Sequence, residues 1–163
     1  MEKFSLISRS ETQTQTIGET IAHLLQKGDI LCLFGQLGSG KTQLVKGLAS
    51  GLGVLKNGVN SPSFVLLKQY RHAAKTLNHF DLFRLKSEQE ILNIGFEEYV
   101  YSQSISVIEW ADRLSSCLPD EFLGIELKVV SETSRRLAFF ARGRRYQALL
   151  QRLKQARRGI ISK

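Results

Sequence analysis

A glycine-rich loop between a short apolar run and an amphipathic stretch constrains this chain more than any other feature. Ile30-Leu31-Cys32-Leu33-Phe34 runs directly into Gly35-Gln36-Leu37-Gly38-Ser39-Gly40-Lys41-Thr42. Gly, four residues, Gly, Lys and Ser/Thr is the phosphate-loop spacing, which requires a strand before it and a helix after it. Gly35, Gly38 and Gly40 permit positive φ and a close approach of the backbone to an oxyanion, which a Cβ would obstruct. Successive N–H groups from Leu37 through Gly38, Ser39 and Gly40 to Lys41 and Thr42 then form an anion-binding nest at the positive end of the following helix. Lys41 is placed to reach the β- and γ-phosphates, and the Thr42 hydroxyl to ligate Mg2+. The loop reads as a cradle for a nucleoside triphosphate in an α/β domain.

The flanking sequence supplies the required elements. Ser10 to Lys27 reads as a helix, with Ser10 as cap and Ile17, Ile21, Leu24 and Leu25 on one face. Leu44, Val45, Leu48 and Leu52 line a second helix, which Gly51 or Gly53 ends. Phe64–Tyr70 and Thr76–Phe83 are expected as antiparallel neighbours across a polar connection. Residues 87–103 read as helical material broken at Gly95. Leu123, Ile125, Leu127 and Val129, then Leu137, Phe139 and Ala141, alternate as a late hairpin with one buried face. From Arg144 a basic helix is expected, docked by Leu149, Leu150 and Leu153. With no linker or repeat, the 163 residues read as one domain, with the basic C-terminal helix at about 144–163.

Two carboxylates stand out. Ile105-Ser106-Val107-Ile108-Glu109-Trp110 is a buried β-branched run ending in an acid, where a phosphate-loop fold places the group that holds Mg2+ or orients attacking water. Asp81, within His79-Phe80-Asp81-Leu82-Phe83-Arg84, sits in an apolar setting where an unpaired carboxylate is costly. A Mg2+ or its water satisfies it, and so does a salt bridge to Arg84 or a lysine. His79 alone fits a structural histidine, and Trp110 fits either the nucleotide pocket or the core. Asn60-Ser61-Pro62-Ser63-Phe64 offers two hydroxyls in the segment where a γ-phosphate sensor often lies, and by composition is a turn into a strand.

Composition excludes several classes. A hydrophobic content of 42% and a charged content of 23% are ordinary globular values. No run approaches the roughly 18 apolar residues of a membrane span, and the first residues lack a signal peptide's pattern, so a cytoplasmic protein with no membrane contact is expected. Cys32, inside a buried strand, and the distant Cys117 read as packing residues. The net charge of +8 is localised: residues 142–163 hold eight basic side chains and no acidic one, while fifteen of each sign cancel elsewhere. Such a block is either a solvated helix face or a contact for RNA or an acidic partner.

Taken in order over nearly the whole chain, these motifs resemble the TsaE family of bacterial P-loop ATPases, required for the threonylcarbamoyladenosine modification of tRNA. The Ser61-Pro62, His79-x-Asp81-x-Phe83-Arg84 and Glu109-Trp110 elements carry the resemblance beyond the loop itself. It implies a mixed sheet flanked by helices and a Mg-dependent ATPase, weak alone, that works with the TsaD and TsaB proteins. It also implies ATP and Mg2+ as cofactors, Lys41 on phosphate, Thr42 and Glu109 on the metal, Asp81 on metal or water, and Glu11 near the adenine. Lys41, Asp81 and Glu109 are then the catalytic set. Ser63, Phe83 and Gln36 stand where the family more often has threonine, tyrosine and aspartate. Two rival readings are a small-molecule kinase, which needs an acceptor pocket and an arginine-bearing lid, and a non-catalytic, nucleotide-dependent RNA-binding module using the basic tail. A GTPase is disfavoured, since no Asn-Lys-x-Asp element is present.

Overall fold

The computed structural model describes residues 3–54, 58–60 and 65–161. In chain order the elements are β1 (Lys3–Ser8), α1 (Glu11–Ala22), β2 (Ile30–Phe34), α2 (Lys41–Gly51), β3 (Leu67–His72) and β4 (Lys75–Asp81). There follow α3 (Glu88–Asn93), α4 (Phe96–Val100), β5 (Ile105–Glu109), a 3-10 turn at Ala111–Cys117, β6 (Phe122–Val129), β7 (Arg135–Arg142) and α5 (Arg144–Ile161). The strands form one seven-stranded sheet in the order β1-β7-β6-β2-β5-β4-β3. β2 lies parallel to both β5 and β6, and β4 parallel to β5. Antiparallel pairs β3/β4 and β6/β7, with β1 on β7, complete a mixed α/β sheet.

The strands that read as continuous apolar runs are the central ones. β2 and β5 are covered on both faces, as parallel strands must be, and Leu31, Cys32, Leu33, Val107 and Ile108 have no exposed surface. Both cysteines are free thiols, and burial pushes the Cys32 thiol far up from its ordinary range. On β4, Phe80 faces α4, its ring 5.1 Å from that of Phe96. His79 and Asp81 therefore point to the opposite face, the one on which α2 begins.

The elements differ from expectation at their ends, each for a local reason. The Ser10 hydroxyl caps α1 by accepting the Gln13 N–H at 3.0 Å, but the helix stops at Ala22. Leu24 and Leu25 bond back three residues instead, to Ile21 and Ala22, and the Asp29 carboxylate captures the Gln26 N–H at 2.7 Å. β3 starts at Leu67 because Leu66 is left-handed, with φ 61°. Its expected first residue, Phe64, and the hydroxyls of Ser61 and Ser63 lie outside the described residues. β4 ends at Asp81, whose Oδ1 accepts the Phe83 N–H at 2.9 Å and turns the chain. β1 has no counterpart in the sequence reading: it is a short edge strand whose odd-numbered residues Lys3, Ser5 and Ile7 are exposed.

Two packings position the functional end of the sheet. α1 and α2 cross at backbone contact distance: a Cβ on Gly18 would run into the Leu44 carbonyl, and one on Gly47 into the Gln15 carbonyl. This contact sets the start of α1 beside the start of α2. α5 is part of the core rather than an appendage, with Leu149, Leu150 and Leu153 fully buried. Arg145 donates to both Asp29 carboxylate oxygens at 3.0 and 2.6 Å. The buried Tyr146 hydroxyl accepts the Ile30 N–H at 2.7 Å, at the first residue of β2.

Gly47→Ala is expected to lower the unfolding free energy by about 1–3 kcal/mol, because overpacking outweighs the gain of up to ~1 kcal/mol in helix propensity. Urea denaturation measures it; an unchanged or raised stability would mean the helix pair relaxes apart freely.

Candidate functional site

The loop after β2 follows the sequence reading closely. Gly35, Gly38 and Gly40 take φ of 142°, 77° and 100°, and Gly40 caps α2, whose first residues are Lys41 and Thr42. Ser39 is buried and turned inward, while Leu37 stands 73% exposed at the rim. The Lys41 ammonium is folded over the loop, donating to the carbonyls of Gly35 at 2.7 Å and Gln36 at 2.9 Å. It also lies 4.0 Å from the centre of the Trp110 ring. Burial lowers the Lys41 pKa from the ordinary lysine range, opposed by the charges of Glu109, Asp81 and Asp112.

The parallel register brings the acids to the loop. Leu33 pairs with Glu109, and Glu109 with Asp81, so both carboxylates emerge on one face at the carboxyl ends of adjacent strands. Thr42 Oγ1 lies 3.1 Å from both Glu109 carboxylate oxygens, and Glu109 is only 2% exposed. Beneath it, His79 Nε2 contacts Glu109 Oε1 at 2.8 Å, while among the described residues the buried Nδ1 has no hydrogen-bond partner. With Nε2 protonated, the histidine holds the carboxylate from below as the hydroxyl holds it from the side.

A cavity of about 720 Å³ opens over these groups, a size that suits a small-molecule ligand. It is lined by Leu37, Gly38, Gly40, Lys41 and Thr42 of the loop and α2, by Asp81, Arg84, Glu109 and Trp110, and by Ser10, Glu11, Thr14, Glu132, Thr133 and Arg135. Among the expected site residues only Ser39 does not line it. Its oxygen donors fit Mg2+: one hydroxyl and one or two carboxylates, the remaining positions falling to phosphate and water. Among the described residues no three His, Cys, Asp or Glu side chains form a metal-binding group.

His79, read from sequence as a structural histidine, supports Glu109: two residues before Asp81 on a strand, it shares that face. One contributor, Arg135, escaped the sequence reading, because its role depends on long-range contact. Its Nη1 donates to the carbonyls of Ser131 and Ser134 at 3.0 Å and Glu132 at 3.1 Å, and its Nη2 to the Gly38 carbonyl at 3.3 Å. The arginine thereby ties the β6–β7 turn to the phosphate loop. Among the described residues, no basic side chain of α5 lines the cavity.

A family model described as threonylcarbamoyl adenosine biosynthesis protein TsaE matches residues 8–137. The tRNA threonylcarbamoyladenosine biosynthesis protein TsaE of Bacillus subtilis is 38% identical over 141 residues, 86% of this chain and 87% of its own. The protein of that name from Treponema pallidum is 40% identical over 131 residues, 80% of this chain and 96% of its own. Among solved structures, Bacillus subtilis YdiB superposes with a TM-score of 0.80 at 30% identity, over 94% of this chain and 95% of that one.

Arg135→Ala is expected to speed hydrogen exchange at the Val130, Ser131 and Ser39 amides about tenfold, or ~1.4 kcal/mol of local stability, with the β2–β5 amides unaffected. Exchange mass spectrometry reads this; unchanged protection at the turn would show that the guanidinium does not brace it.

Proposed function

The chain belongs to the TsaE family, and from that premise we propose that it is an ATP-binding and ATP-hydrolysing accessory subunit of the machinery that makes threonylcarbamoyladenosine in tRNA. The observation that carries the ATPase reading is the contact of Thr42 with Glu109 beside Lys41 at the mouth of the phosphate loop. A nucleotide binder needs only the loop. A group that also holds a metal, and a second acid beside it for water, belong to hydrolysis.

In this reading the backbone N–H groups from Leu37 to Thr42 hold the phosphates. Lys41 exchanges the Gly35 and Gln36 carbonyls for phosphate oxygens, bringing its charge to where negative charge develops. Thr42 and Glu109 would hold Mg2+, which when bound offsets charge on the β- and γ-phosphate oxygens. His79 keeps the Glu109 carboxylate aimed, and Asp81 accepts a hydrogen bond from attacking water or from a water on the metal. Glu11, at the start of α1, is assigned to the adenine end. The small catalytic set suits an enzyme that is weak alone and completed by partners, which we take to be TsaD and TsaB in the cytoplasm. The exposed Arg144, Arg152 and Arg157 of α5 are a candidate tRNA contact. Deleting the segment would not test that contact, because Leu149, Leu150 and Leu153 would leave the core with it.

The kinase reading gains one observation, since Arg84 and Arg135 both line the cavity. The test is ATP hydrolysis by the purified protein, alone and with TsaD and TsaB. Stimulation that disappears in Lys41→Ala supports the accessory-ATPase reading; ATP binding without stimulation transfers the weight to the kinase and calls for an acceptor screen. Lys41→Ala is expected to abolish ATP binding by calorimetry, and unchanged affinity would mean that the loop is not the site. Glu109→Ala is expected to lose hydrolysis by at least about tenfold more than binding; equal losses would make Glu109 a structural carboxylate.

A further inference from the structure

The two faces of the β1-β7-β6 end of the sheet are treated differently. On one, Phe4 stacks on Phe139 at 4.8 Å between ring centres, and Lys154 of α5 reaches over Phe4, so this is the face α5 covers. The opposite face carries the alternate residues, and there Lys3, Lys128, Arg136 and Arg142 are all exposed. Its single carboxylate within the strands, Glu126, is already paired with Lys128 at 3.0 Å. With Lys128 and Glu126 paired, Lys3, Arg136 and Arg142 supply the excess that makes this an open, positively charged sheet surface.

At its centre lies an aromatic ring. Gly124 and Phe140 are cross-strand partners, and a Cβ on Gly124 would stand nearly equidistant from Cζ, Cε1 and Cε2 of Phe140. Near-equidistance from three ring atoms puts that point over the ring's face rather than beyond its edge. The ring therefore lies flat on the glycine, as an aromatic does when it covers a strand glycine, and it is only partly buried. Phe34 and Phe122 brace it at 5.8 and 6.0 Å, and the Lys3 ammonium stands 5.7 Å from its centre. Arg142 is held over Phe122 at 5.6 Å.

We propose that this open sheet face binds single-stranded RNA, with a base stacked on Phe140 and the backbone phosphates on Lys3, Lys128, Arg136 and Arg142. A flat aromatic platform ringed by cations recognises unpaired nucleotides, because every base has a π-face and every linkage a negative charge. A duplex hides its bases and gains only the charge. The site is separate from the nucleotide cavity and from the exposed arginines of α5, and it does not depend on the ATPase reading.

The test is fluorescence anisotropy of the full-length protein with a labelled single-stranded oligoribonucleotide of about ten nucleotides, over a salt series, against a hairpin duplex of similar length. The single strand is expected to bind more tightly. Arg136→Ala and Lys128→Ala should each reduce the log–log salt slope by about 0.7. Phe140→Leu should weaken binding about tenfold at every salt concentration with the slope unchanged. Lys75→Ala, in the β3–β4 hairpin at the opposite edge of the sheet, should have no effect, and Arg152→Ala with Arg157→Ala reads the α5 contact separately. Should Phe140→Leu fail to fold, as judged by thermal melting, the exposed Arg136 and Lys128 carry the test. Three outcomes would overturn the proposal: no binding of the single strand at low salt, which would leave the face to a protein partner; equal binding of the duplex; or loss confined to the α5 variants.

Discussion

The parallel pairing of β2 with β5 is the constraint on which the rest of this structure depends. It sets the last residues of one strand, which open into the phosphate loop, beside the last residue of the other, which is Glu109. A carboxylate there is nearly out of water and costs several kcal/mol if nothing holds it. Thr42 holds it from the helix and His79 from the neighbouring strand. The charge proposed to hold a metal thus also joins β4, β5 and α2.

This end of the sheet was the most legible part of the sequence, since local chemistry dictates it. A glycine loop after Phe34, a buried run ending in Glu109 and a break at Gly95 each follow from residue type and neighbours, and each stands where expected. What was not legible depends on partners far along the chain. β1 is too short and too exposed to announce itself, and forms because β7 offers it an edge. Arg135 reads as one more cation in a polar turn until the sheet brings that turn to Gly38. The end of α1 was misjudged because Leu24 and Leu25 continue the apolar period after the backbone has left the helix.

Charge shows the same division between local and distant. The basic block at the C-terminus, legible as a count, resolves into side chains with different tasks. Arg145 neutralises Asp29 in the core, Lys154 lies against Phe4, and Arg142 belongs to the uncovered sheet face. The matched family region ends at residue 137, so the basic block lies beyond that match, whereas Lys128 and Arg136 of the sheet face lie within it.

The hydrogen bond between Tyr146 and the first residue of β2 joins positions 116 apart in sequence, and among the described residues β1 pairs only with β7, far along the chain. The central strand of the sheet is therefore anchored by a segment synthesised more than a hundred residues after it. During translation the phosphate loop emerges early but its scaffold cannot close until α5 has left the ribosome. A chain of this topology folds as one late event rather than element by element, and until then its apolar central strands stand open to chaperones or to one another.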